Sequence, residues 1–139
     1  MRLNPYLNFG GNCVEAMSFY REHLGGKLCG MMKFSDAPDR SMVPPDSKDQ
    51  VMWSQMSFGD SLMMACDAPG DRFEPSRGVY MSLSVDSIEE AERVHGVLAE
   101  GGEVFMPMTE TFFAFRFSMM RDKFGTLWMV IHERPMPSA

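Results

Sequence analysis

Residues 12–34, NCVEAMSFYREHLGGKLCGMMKF, and residues 87–108, SIEEAERVHGVLAEGGEVFMPM, follow one plan twice. Each opens on a helix-capping residue with a glutamate three positions on, Asn12 with Glu15 and Ser87 with Glu90. That is the spacing of a capping box. Cys13, Met17, Tyr20 and Leu24 then recur at helical spacing in the first segment, and Ile88, Ala91, Val94 and Leu98 in the second. Each segment therefore predicts a helix with one apolar face. The pairs Gly25-Gly26 and Gly101-Gly102 end the helices, because glycine readily takes the left-handed conformation that closes a helix. A strand follows each, Lys27 to Phe34 and Glu103 to Met108. The offset is about 75 residues, and the likeness is one of pattern more than of identity.

Working outward, strands precede both helices, Leu3 to Phe9 and Val79 to Val85. Hairpins follow both. Val51 to Phe58 and Ser61 to Cys66 are joined by Gly59-Asp60, a two-residue turn of type II′ character. Phe113 to Arg121 and Thr126 to His132 are joined through Asp122-Lys123-Phe124-Gly125, where Gly125 supplies a left-handed residue. Each half thus reads strand-helix-strand-strand-strand. The expected fold class is α+β, a single domain over residues 1–139. Module one covers 1–67, a linker 68–78 and module two 79–134. Pro69, Gly70, Pro75 and Gly78 mark the linker, and Ser35 to Gln50, with Pro38, Pro44 and Pro45, reads as a long loop.

A chain of 139 residues fits one compact unit able to bury a core. Its net charge of -6 argues against nucleic acid, which needs a basic face. No apolar stretch approaches a membrane span. The start, Met1-Arg2-Leu3-Asn4-Pro5-Tyr6, has no apolar targeting core. Cys13, Cys29 and Cys66 form no CxxC pair and sit among apolar residues, so they read as small buried hydrophobes in a reducing compartment. The expected location is cytoplasmic, with neither nucleic-acid nor membrane partners. The 16 methionines fit a methionine-tolerant core or a cavity that adapts to apolar ligands. Composition alone favours the former.

Alternation assigns the faces of the strands. Met81, Leu83 and Val85 form an apolar set that packs on the helices, leaving Tyr80, Ser82 and Ser84 on a concave side. Phe113, Phe115, Phe117 and Met119 alternate with Ala114, Arg116, Ser118 and Met120. The aromatic row is assigned to the cavity side, with a plain core row as its alternative.

Several local stretches, in this order and spacing, resemble the vicinal-oxygen-chelate (glyoxalase/bleomycin resistance/dioxygenase) superfamily, and its PhnB-like members in particular. They are Pro5-Tyr6-Leu7-Asn8-Phe9-Gly10-Gly11-Asn12, Glu15-Ala16-Met17-Ser18-Phe19-Tyr20, Glu110-Thr111-Phe112-Phe113 and Asp122-Lys123-Phe124-Gly125-Thr126-Leu127-Trp128-Met129. With the two βαβββ modules the resemblance spans essentially the whole chain. It implies that the strands curl into an incomplete barrel with a concave interior, and that the chain pairs as a homodimer. The name 3-demethylubiquinone-9 3-methyltransferase, attached to some members, has little support in the residues. A methyltransferase of the usual α/β type needs a glycine-rich turn within a parallel sheet, and Gly10-Gly11 and Gly25-Gly26 read as turn and helix-end glycines.

Metal enzymes of the superfamily place His, Gln or Glu on four strands, where a divalent ion activates substrate oxygens. The matching positions here are Pro5, Met64, Tyr80 and Met129. Thioethers are soft donors unsuited to hard ions, proline offers no donor, and tyrosine ligates poorly unless ionised. Shifts of one residue bring in Asn4 or Tyr6, Met63 or Ala65, Val79 or Met81, and Trp128 or Val130. The expectation is no metal and no cofactor.

Binding residues are expected at Leu7, Phe9, Met64, Tyr80, Ser82, Phe113, Phe115, Phe117 and Met129, around a small apolar or aromatic ligand. An alternative is an enzyme, metal-free or with a displaced metal, acting on an aromatic or quinone-like substrate. Glu110 would be its general base if burial raised its basicity, against a plain loop carboxylate. A purely structural dimer is the third reading. His23 and His95 sit near helix C-termini and His132 on the side of Trp128 and Val130, so all three read as structural. Asp122 reads as a turn-capping carboxylate and Arg116 as solvated or ion-paired.

Overall fold

The first half folds as β1 (Tyr6–Phe9), α1 (Cys13–Leu24), β2 (Lys27–Lys33), β3 (Val51–Phe58) and β4 (Ser61–Asp67). The second folds as β5 (Met81–Ser84), α2 (Ile88–Ala99), β6 (Glu103–Thr109), β7 (Ala114–Arg121) and β8 (Leu127–Glu133). The computed structural model describes residues 1–135, the side chain of Met42 excepted. Contacts divide the chain into two units, with the boundary between Pro75 and Ser76. Each unit carries one four-stranded mixed sheet, ordered β1-β4-β3-β2 in the first and β5-β8-β7-β6 in the second. The first and fourth strands of each unit pair in parallel and the remaining pairs are antiparallel. The fold is α+β, and neither sheet closes into a barrel.

Met81 and Ile88 begin β5 and α2, each 75 positions after the Tyr6 and Cys13 that begin β1 and α1. The offset shortens at the hairpins because the loop between β2 and β3 has no equally long counterpart between β6 and β7. That loop is partly built: it holds short 3-10 turns at Phe34–Asp36 and Arg40–Met42, and buries Phe34, Ala37 and Ser47. Both opening strands are shorter than alternation suggests. Leu3 is 99% exposed and outside β1, so no buried face extends the strand that far.

In the first unit α1 packs on β2, β3 and β4 through Cys13, Ala16, Met17 and Tyr20. Beneath it lies the row Leu7–Ala65–Ser54 across three strands. The Ser54 hydroxyl lies 3.8 Å from the Cys13 thiol of α1 and donates to the Ala65 carbonyl at 2.7 Å. This face is therefore the helix side.

The start of α1 is capped differently from the expectation. Asn12 makes no side-chain capping bond. Asp67, at the end of β4 and 1% exposed, accepts from the amides of Gly11 (2.9 Å) and Cys13 (3.0 Å) with one oxygen and of Val51 (2.9 Å) with the other. The first amides of a helix lack intrahelical acceptors, and a carboxylate there also complements the helix dipole. One residue thus ties together the β1–α1 turn, the start of β3 and the end of β4.

The second unit uses the local device. The Ser87 hydroxyl accepts from the Glu90 amide at 3.1 Å, while the Glu90 carboxylate pairs with Arg93 at 2.6 Å rather than reaching back to the cap. α2 buries Ala91, Val94 and Leu98 on β7 and β8. Under it are Met120, Trp128 and Val130, all buried. Asp122 accepts from the amides of Phe124 (2.9 Å) and Thr126 (3.0 Å) and from the Trp128 indole N–H (2.8 Å). It is the turn-capping carboxylate the sequence suggests, with a buried indole added.

Candidate functional site

Each sheet has a second face, away from its helix. On the first sheet, strand register sets Tyr6, Met64 and Gln55 in one row, with Asn8 beside Cys66 next to it. Met64, Cys66 and Gln55 are half-buried, and Tyr6 and Asn8 are exposed. The Cys66 thiol donates to Asn8 Oδ1 at 3.1 Å, with the Tyr6 phenol close beside it. Burial pushes the Tyr6 phenol up to about 12 and raises the Cys66 thiol, so both groups stay protonated and neutral at pH 7.

This placement corrects the reading of the cysteines. Only Cys13 is a fully buried small hydrophobe, with burial pushing its thiol up to about 12. Cys29 is exposed on an edge strand, and Cys66 lies half-buried among polar neighbours.

On the second sheet the corresponding rows are Ser82–Met129–Met119 and Ser84–Ile131–Phe117. Phe113 packs edge-on against Phe117, ring centroids 5.1 Å apart. Tyr80, just before β5, packs edge-on against Phe105 of β6 at 6.5 Å. The Arg121 guanidinium lies 6.0 Å from the Phe105 ring and donates to the Ser76 carbonyl at 3.0 Å. It thereby holds the segment that leads into β5.

The sequence-expected binding residues divide between faces. Met64 lies on the open face of the first sheet, and Ser82, Phe117 and Met129 on that of the second, with Phe113 against Phe117 and Tyr80 against Phe105. Leu7 and Phe9 lie on the helix side, 7% and 3% exposed. Phe115 leaves the expected aromatic row. The register between β7 and β8 shifts between Ala114 and Arg116, and the extra residue of this bulge turns the side chain. Phe115 rests instead against His132, 5.2 Å between rings, with the Arg134 guanidinium 4.5 Å from its centroid.

Glu110 has an exposed carboxylate paired with Arg134. The burial that the general-base reading supposed is not found at this carboxylate. The histidines have separate structural partners. His95 Nδ1 lies 2.9 Å from the Ser118 hydroxyl between α2 and β7, His132 Nδ1 lies 2.9 Å from the Val85 carbonyl, and His23 stacks on Phe19 at 4.4 Å. Arg116 pairs with Glu92 of α2 at 3.3 Å.

The donor set does not fit a hard divalent ion. The Pro5 carbonyl accepts from the Met64 amide at 3.0 Å. The cross-strand neighbours of Met64 are a phenol and an amide, and those of Met129 a hydroxyl and a second thioether. Among the described residues no three His, Cys, Asp or Glu side chains gather in a metal-binding group. Glu133, at the end of β8, is exposed and within 3.4 Å of the Ser84 hydroxyl.

A family model described as 3-demethylubiquinone-9 3-methyltransferase matches residues 1–131. The chain belongs to this family. It is 31% identical to the protein YjdN of Escherichia coli K12 over 151 residues, covering 99% of both chains. The structure of protein PA1353 from Pseudomonas aeruginosa superposes with a TM-score of 0.88 at 45% identity, covering 97% of this chain and 99% of that one. A PhnB protein from Bacillus cereus shares the fold at 20% identity, TM-score 0.79, over 95% and 99% of the two chains. So does a glyoxylase/bleomycin resistance protein/dioxygenase domain from Frankia sp. EAN1pec, at 14% identity, TM-score 0.69, over 99% and 94%. The chain is thus a PhnB-like protein with the glyoxalase/bleomycin resistance fold. No described helix of this PhnB-like chain is long and apolar enough to cross a membrane.

Tyr6, Asn8, Cys66 and Gln55 are the open-face residues that sequence reasoning missed. The signal was present. Leu7 and Phe9 are the apolar alternants of β1, and the rule that put Met81 and Leu83 on the helix side also puts them there, leaving Tyr6 and Asn8 on the other face.

Proposed function

We propose that this PhnB-like chain binds a small apolar or aromatic molecule on an open sheet face, with no metal at the superfamily's four ligand positions. The observation that carries the reading is the chemistry around Met64 and Met129. Thioethers, a phenol, an amide and a hydroxyl stand there, where a metal enzyme needs imidazoles and carboxylates. Methionine and aromatic side chains offer polarizable, adaptable contact to apolar ligands. The methyltransferase reading of the family name has no such support. Each sheet holds one parallel pair among antiparallel ones, unlike the doubly wound parallel sheet with its glycine-rich turn.

Thermal-shift screening of the full chain in EDTA against aromatic and quinone-like compounds tests the reading. Saturable rises in melting temperature for a structurally related set are expected, because a ligand that binds only the native state stabilises it. No shift by any compound, or a stoichiometric divalent ion in chain purified without chelator, would overturn it.

We further propose a cytoplasmic homodimer. The apolar side chains of Val104, Phe105 and Met106, exposed on the edge strand β6, support the pairing of copies, since an exposed apolar edge favours association. Sedimentation of a single species at monomer mass at micromolar concentration would reject it.

A further inference from the structure

The open face of the first sheet carries uncharged hydrogen-bonding groups where a metal-dependent relative would carry ligands. Around Met64 stand the Tyr6 phenol and the Gln55 amide, in the same cross-strand row. Asn8 and Cys66 form the next pair. None of the side chains in these rows is charged. The hydrogen bonds within the group have a direction. The Cys66 thiol donates to Asn8 Oδ1, which engages one lone pair of the amide oxygen and leaves the Asn8 NH2 able to donate to a ligand. That NH2 and the side-chain amide of half-buried Gln55 have no partner among the described residues. An ordinary phenol is already neutral at pH 7, and among the described residues the polar neighbour of this one is the Cys66 sulfur, a weak acceptor. Its O–H can therefore turn to a better acceptor without loss of a strong bond.

An acceptor-bearing ligand suits this arrangement. Three donors, the Tyr6 O–H and the amide N–H groups of Asn8 and Gln55, border one thioether, which gives the apolar part of a molecule something to rest on. A carboxylate or phosphate would meet no cation in these rows, and would sit there desolvated without a counter-charge. A pure hydrocarbon would leave the donors facing apolar atoms. The neutral carbonyl of a ketone or aldehyde on an aromatic frame satisfies both parts.

We infer that Tyr6, Asn8 and Gln55 form a carbonyl-binding patch, and that the ligand of this chain is a neutral aromatic ketone or aldehyde rather than an acid or a hydrocarbon. These donors border Met64 on either side, and the ligand oxygen, with two lone pairs, takes a hydrogen bond from one or two of them, where the superfamily's metal enzymes use a metal. This inference rests on the small-molecule reading above and names the ligand class and its anchoring residues.

The test uses three matched probes, 2-acetylnaphthalene, 2-ethylnaphthalene and 2-naphthoate, titrated calorimetrically into the full-length chain and into the variants Tyr6→Phe and Asn8→Leu. Tyr6 and Asn8 are exposed, so both variants should keep the wild-type melting temperature, and Gln55→Met provides a third variant if either does not. The expected result is that the ketone binds wild type at least about tenfold more tightly than the other two, one hydrogen bond's worth of affinity. Each variant should lose most of that preference, through weaker binding of the ketone and equal or tighter binding of 2-ethylnaphthalene once the unpaired donor is gone. A preference that survives in the variants overturns the assignment of the patch, and tighter binding of 2-naphthoate overturns the ligand class. Binding of none of the three defeats the small-molecule reading itself, a result distinct from either.

Discussion

Asp67 and Asp122 do similar physical work in the two units by different routes. Each is a buried carboxylate that accepts three N–H bonds, and a buried donor stripped of its acceptor is costly. Asp67→Ala leaves the amides of Gly11, Cys13 and Val51 without their acceptor, and is predicted to destabilise the chain by about 3 kcal/mol or more. Urea unfolding checks this, with an unchanged midpoint contradicting it. His95 yields a pH-dependent prediction. Burial lowers its pKa below the ordinary 6.5, so the folded state favours neutral imidazole. Its contribution is fully present above 6.5 and is lost as the pH falls through the lowered folded value, because the unfolded chain binds the proton first. His95→Gln should therefore flatten the loss of stability seen on acidification just below 6.5. Denaturant midpoints of both proteins, compared across that range, read the effect directly.

Among the elements, the helix starts differ in what a sequence shows. The α2 cap is local, three residues from Ser87 to Glu90, and was legible. The α1 cap comes from Asp67, 54 positions along the chain from Cys13, and no local pattern reports such a partner. The consequence is measurable. Ser87→Ala should cost about 1 kcal/mol, whereas Asn12→Ala should cost little, because Asn12 makes no capping bond. Equal losses in urea melts would contradict the assignment. The glycine pair after α2 has a reason beyond helix termination: a Cβ at Gly102 would collide with the Arg121 carbonyl oxygen. The same limit of local patterns explains the aromatic row. Alternation placed Phe117 and Met119 together correctly but could not foresee the bulge that turns Phe115 toward His132 and Arg134. Bulges depend on cross-strand register, which only the folded sheet fixes.

At the scale of the whole molecule, the repeated βαβββ plan was legible because helix caps, glycine stops and alternation all agreed on it. The candidate site was less so. At the four positions that the family resemblance assigns to metal ligands, the sequence shows Pro5, Met64, Tyr80 and Met129 directly. It did not show the polar group beside Met64, because Tyr6, Asn8, Gln55 and Cys66 come from three strands and meet only through register. The central claim is that this PhnB-like chain recognises an aromatic ligand without a metal. It is tested most directly by calorimetric titration of 2-acetylnaphthalene into the chain before and after exhaustive EDTA treatment, with added Mn²⁺ as the third condition. The account predicts the same saturable affinity in all three. Binding that disappears with EDTA and returns with Mn²⁺ would contradict it.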